Sequence, residues 1–106
     1  MPTRFIRTGS GKFDASGVAT AIVSVPSGVA WDITTTTVST TSAAITTASV
    51  YLGSPSPGTF LEGTYDGNGD TSDTRHQVLS GEVITAVWTG GTAGAIATLR
   101  ISGLQG

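Results

Sequence analysis

No cysteine occurs among the 106 residues, which removes disulfides and thiolate metal sites as sources of stability and leaves that task to core burial. Charge is scarce as well: five Lys and Arg and seven Asp and Glu make up 11% of the chain, for a formal net charge of −2. Such a surface is built from Ser, Thr and backbone rather than from ion pairs. It lacks the cations that displace counterions from phosphates, so no nucleic-acid partner is expected. Helical patterns are missing, because Leu, Glu, Lys and Ala nowhere recur at helical spacing. The longest apolar stretches, AIVSV and VITAVW, are far too short to cross a bilayer as helices. The start MPTRFIRTGSGKF has no apolar signal-peptide core, so no membrane partner and synthesis in the cytoplasm are expected.

What is abundant is Thr and Val, punctuated by Gly and Ser, the composition of an all-β protein. Residues 1–17 read as a Gly/Ser-interrupted N-terminal arm anchored by Phe5, Ile6 and Phe13, and residues 18–106 as a single β-sandwich domain. VATAIVSV is the first clear strand, and Pro26-Ser27-Gly28 reads as a hairpin turn into VAWDITTTTVST. There Val29, Trp31 and Ile33 share one face. SVYLGS and TFLEGTY are strands separated by SPSPG, whose prolines cannot donate ladder hydrogen bonds. HQVLS, VITAVWT and AIATLRISG complete the set. VITAVWT is apolar on both faces and reads as a central strand. Strands this short, with turn signals between them, predict an antiparallel β-sandwich or jelly roll of about eight strands with an extended N-terminal arm. Sheet edges so poor in Lys are expected to be covered by further copies of the chain.

EGTYDGNGDTSD is the densest polar stretch. Asp66, Asn68 and Asp70 at alternate positions match the first half of a calcium loop, and Asp73 is a further oxygen ligand. The second half departs from that pattern, with Thr71 where Gly belongs and Gln77 where a bidentate Glu belongs. No cofactor is expected, a structural Ca2+ held by this loop being the one alternative. Two turns in succession, DGNG and DTSD, are the preferred reading. His76 is the sole histidine, without a nucleophile or second acid at a telling spacing, and no G-x-S-x-G elbow is present. Glu62, Asp66, Asp70 and Glu82 do not suggest the deep cleft that glycoside hydrolysis needs. GSGKF lacks the flanking residues of a phosphate loop. The chain therefore reads as a non-enzyme. Tyr51 and Tyr65 are candidates for a surface that stacks on sugar rings. Arg4 and Arg7, with Lys12, form a small basic segment able to dock on an acidic partner.

Across RTGSGKFDASGVATAIVSVPSG, VYLGSPSPGTFLEGTYDGNGDTSD and LSGEVITAVWTGGTAGAIATLRISG, the chain resembles small structural proteins of tailed bacteriophages that infect actinobacteria. GTYDGNGDTSD followed by LSGE and VWTGG carries most of that resemblance. It implies a virion location and a non-enzymatic role as a minor tail or capsid decoration protein. It also implies assembly as a homo-oligomer, with a trimer expected, on neighbouring capsid or tail proteins. The alternative is a carbohydrate-binding module at a tail tip, with host glycan as partner.

Overall fold

The alternation of apolar and polar residues is realised as two packed sheets in a computed structural model, which describes residues 3–106 apart from the side chains of residues 64 and 65. Among the described residues nine strands run in chain order: β1 (Thr3–Lys12), β2 (Ala19–Ser24), β3 (Trp31–Thr40), β4 (Thr47–Leu52), β5 (Phe60–Asp66), β6 (Gly69–Ser72), β7 (His76–Val78), β8 (Val83–Thr89) and β9 (Ile96–Gln105). One sheet has the order β1-β9-β3-β6, with β7 continuing the β6 edge along β3, and the other the order β2-β8-β4-β5. Every pairing is antiparallel. Counting β6 and β7 as one interrupted strand, the pairs β1:β9, β2:β8, β3:β6/β7 and β4:β5 are those of a ribbon rolled up on itself. That connectivity defines an eight-stranded jelly roll.

Each strand turns its apolar alternate residues inward. In β2 Ala19, Ala21 and Val23 are buried while Thr20, Ile22 and Ser24 are exposed, and in β9 Ala97, Leu99 and Ile101 are buried. Trp31 and Trp88 are both completely buried, one under each sheet. VITAVWT is central, as its apolar faces predict, since β8 lies between β2 and β4.

Three expectations are corrected. The arm is no arm: from Thr3 to Lys12 the chain pairs with β9 without a break. Phe5 stacks on Trp31 with ring centroids 4.4 Å apart, and Phe13 is buried, although Ile6 faces solvent. Gly9 and Gly11, read as interruptions, are where β1 passes close to β2. A Cβ there would lie 2.5 Å from the Ile22 carbonyl oxygen and 2.0 Å from that of Thr20. Secondly, Pro26-Ser27-Gly28 joins strands of different sheets rather than a hairpin, because β2 pairs with β8 and β3 with β9. The turn before β8 does the same, and the two crossings meet, with Gly28 N donating to Ser80 Oγ at 2.9 Å. Thirdly, only the first half of DGNGDTSD is a turn. Gly69–Ser72 forms β6 on the open edge of β3, with Thr36 opposite Ser72 and Ser39 opposite Gly69. Tertiary pairing there overrides a weak local preference.

Candidate functional site

The Asp/Gly turn is built around Asn68. Its Oδ1 accepts from both the backbone N and the hydroxyl of Thr46, each at 2.7 Å, and its Nδ2 donates to the Ser42 and Ala44 carbonyls at 3.2 and 2.8 Å. All of its hydrogen-bonding directions toward the 41–46 loop are thereby engaged. Gly67 is fixed by space: a Cβ would sit 2.3 Å from Thr46 Oγ1 and 2.8 Å from Trp88 Cδ1, and its carbonyl accepts from Trp88 Nε1 at 3.1 Å. Asp66 Oδ1 accepts from Asn68 N at 3.2 Å, and Asp70 Oδ1 accepts from Thr71 N at 2.8 Å. Asp73 is exposed in the link to β7. Asn68 thus points away from the aspartates and into the neighbouring loop. Among the described residues no three His, Cys, Asp or Glu side chains gather as metal ligands.

A second cluster, which the sequence reading passed over, closes the seam between the β5 edge of one sheet and the β6/β7 edge of the other. Glu62 stands opposite Val50 and therefore points inward with it. Its Oε2 accepts from His76 Nε2 at 2.6 Å and its Oε1 accepts from Ser72 Oγ at 2.5 Å. The His76 and Glu62 side chains are 15% and 9% exposed. Catalytic chemistry would need the imidazole on the serine proton. Here the carboxylate lies between them and accepts from both, so the cluster ties two sheets together. The alternation of TFLEGTY places Glu62 on the inward face, but its partners ten and fourteen residues away depend on the roll-up.

Tyr51 belongs to the outer face of the four-stranded sheet. Ile22, Thr85, Tyr51 and Phe60 are successive cross-strand partners and form one row across it. Tyr51 and Phe60 meet edge to face at 5.7 Å, and Phe60 is 51% exposed. With Pro55, Ser56 and Pro57 they line a depression of about 570 Å3. The proline loop is held by the Thr59 hydroxyl, which donates to the Ser54 carbonyl at 2.6 Å. Phe60 and the prolines, rather than Tyr65, are the residues that line this depression with Tyr51. Tyr65 falls at a described backbone position opposite Ala48, but its side chain lies outside the described set.

Arg4 and Arg7 are both exposed on β1 and point to opposite faces. Arg4 borders a depression of about 410 Å3 with Ile6, Ser102 and Leu104 on the outer face of the five-stranded sheet. Arg7 donates to the Ile6 carbonyl and holds its guanidinium 5.9 Å from the Trp31 ring centroid.

The class that these features define is an all-β jelly-roll sandwich whose polar clusters brace loops and edges. No family model and no curated protein matches the sequence. Among solved structures the chain is similar to one in the acidic stable capsid structure of Helicobacter pylori bacteriophage KHP30. The TM-score is 0.64 at 16% identity, over 98% of this chain and 93% of that one. It is also similar, at a TM-score of 0.42 and 11% identity, to PliG of Aeromonas hydrophila, a periplasmic inhibitor of g-type lysozyme, over 97% of this chain and 85% of that one.

Proposed function

We propose that this chain is a non-enzymatic structural protein of a bacteriophage virion, a minor tail or capsid decoration protein that assembles in many copies on the particle. The observation that carries this reading is the end-to-end likeness in fold to the phage capsid chain, 98% of one on 93% of the other. The resemblance of GTYDGNGDTSD, LSGE and VWTGG to phage structural proteins supports it independently, and the actinobacterial host rests on that resemblance alone. Polar clusters spent on bracing favour a scaffold: Asn68 holds a loop and Glu62 holds a seam. Repetition on a particle makes weak individual contacts sufficient. The test is to probe gradient-purified particles with an antibody against this chain. Co-sedimentation with intact particles is expected, and recovery solely in the soluble fraction of the lysate would overturn the reading.

One observation favours a second reading, a glycan-binding module at a tail tip. Tyr51, Phe60, Pro55 and Pro57 form an exposed, uncharged ledge of the kind on which sugar rings stack. Binding to host cell-wall glycan that Phe60→Ala and Tyr51→Ala abolish without unfolding the protein would support it. An array without signal would remove it.

A further inference from the structure

Asn68 is the single asparagine of the chain, and Gly69 follows it. That order places a nucleophile beside an electrophile: the Gly69 amide nitrogen can close on Asn68 Cγ in a five-membered ring, because glycine puts no Cβ in the way. Gly69 is exposed, with nothing within 4 Å of where a Cβ would stand. Closure requires the carboxamide to turn back toward its own main chain, into a near-attack arrangement. In the folded chain it is held the other way. Its Oδ1 accepts from Thr46 N and Thr46 Oγ1, and its Nδ2, the leaving group, donates to the Ser42 and Ala44 carbonyls. Gly69 is itself paired with Ser39 as the first residue of β6.

We propose that Asn68-Gly69 is a spontaneous modification site that the fold keeps closed and that reacts when the turn between β5 and β6 lifts away from the 42–46 loop. Water is the only co-reactant. The Gly69 nitrogen attacks Cγ and gives up its proton, the Cγ–Nδ2 bond breaks, and ammonia leaves. Water then opens the cyclic imide at one carbonyl or the other, leaving aspartate or isoaspartate. Neither product restores the native turn. A carboxylate at this position still accepts from Thr46, but it has no proton for the Ser42 and Ala44 carbonyls and sets negative charge against them. Isoaspartate also adds a methylene to the backbone, directly ahead of a strand whose register on β3 runs from Thr36 to Ser39. Because β6 is a four-residue strand at a sheet edge, it is the kind of element that opens locally before the whole fold does. The site therefore keeps a one-way record of such openings. Asp66-Gly67 is not equivalent, since Gly67 is buried and its N donates to the Thr46 carbonyl at 3.0 Å.

The experiment incubates the full chain in mildly alkaline buffer, folded and in urea, and follows aspartate and isoaspartate at this position by chromatography and peptide mass spectrometry. The folded chain is expected to react at least ~10-fold more slowly than the unfolded one. Two variants loosen the brace: Thr46→Val removes the hydroxyl donor to Oδ1, and Ser42→Ala removes the hydroxyl that accepts from Ala44 N and Thr92 N. Both are expected to speed the reaction of the folded chain and to leave the rate in urea unchanged. Circular dichroism confirms the fold of each, and Ser42→Ala, which is not buried, carries the test if Thr46→Val unfolds. Gly69→Ala is expected to slow the reaction in urea several-fold, which identifies the attacking nitrogen. Equal rates in the folded and unfolded chain would overturn the gating, and no product even in urea would overturn the site. A faster reaction in the folded chain would also overturn the proposal, and would assign the two Thr46 donors to stabilising an oxyanion at Oδ1.

Discussion

At the scale of single residues, glycines and one asparagine determine more than any charged group does. Gly9 and Gly11 let β1 pass beside β2 where a methyl group would enter carbonyl oxygens of Ile22 and Thr20. Backbone cannot yield as a side-chain tip does, so Gly11→Ala is expected to cost about 1–3 kcal/mol. Gly69→Ala, with nothing within 4 Å of the added carbon, is expected to stay within about 0.5 kcal/mol of the wild type. Urea titration of the pair checks both values. Asn68→Ala removes the four hydrogen bonds that tie the turn to residues 42–46 and strands the buried Thr46 hydroxyl. A loss of about 2–3 kcal/mol is expected from chemical denaturation. If Asn68 is engaged in this way, Ca2+ and a chelator should leave the melting temperature of the wild type equal. A rise with Ca2+ would restore the ion site that Asp66, Asp70 and Asp73 suggest in sequence.

At the scale of elements, the jelly roll depends on how its edges are closed. On one side the glycines of β1 lie against β2; on the other, Glu62 of β5 accepts from Ser72 of β6 and His76 of β7. Because both Glu62 contacts are charge-assisted and sheltered, a double-mutant cycle with Glu62→Gln and His76→Gln is expected to give a coupling of about 1–3 kcal/mol. Coupling near zero would mean that the seam is held by packing alone. Phe5→Ala removes the ring stacked on Trp31 and is expected to destabilise by about 3–5 kcal/mol, with faster hydrogen exchange along β1 as the local readout.

Much of this level is legible in sequence. Alternation in VATAIVSV, VITAVWT and AIATLRISG places their inward faces, and SPSPG marks a break in pairing. What alternation cannot convey is which sheet a strand joins. Pro26-Ser27-Gly28 looks the same whether the next strand folds back beside its predecessor or crosses to the other layer, and only long-range pairing decides. The extra residue in β3, where the register with β9 shifts between Ile33 and Thr35, hides in a run of identical threonines. Thr36 is buried there while Thr35 and Thr37 are not. The Glu62 seam was illegible for a related reason, since its partners meet only when two sheet edges are brought together.

At the scale of the whole molecule, the two sheets present different outer faces. The four-stranded sheet carries an uncharged row from Ile22 to Phe60, and the five-stranded sheet carries Arg4, Lys12 and Arg100 among threonines and serines. The sandwich is 43 Å long and 20 to 23 Å across, and its two outer faces differ in chemistry. Long-range strand pairing makes such a unit slow to form and dependent on its glycines and seams. Membership of a virion, as proposed, requires a defined copy number on the particle. Quantitative peptide mass spectrometry on gradient-purified particles should find this chain at a fixed, multiple-copy ratio to the major capsid or tail protein. Its absence from particles that are otherwise complete would contradict a place in the virion.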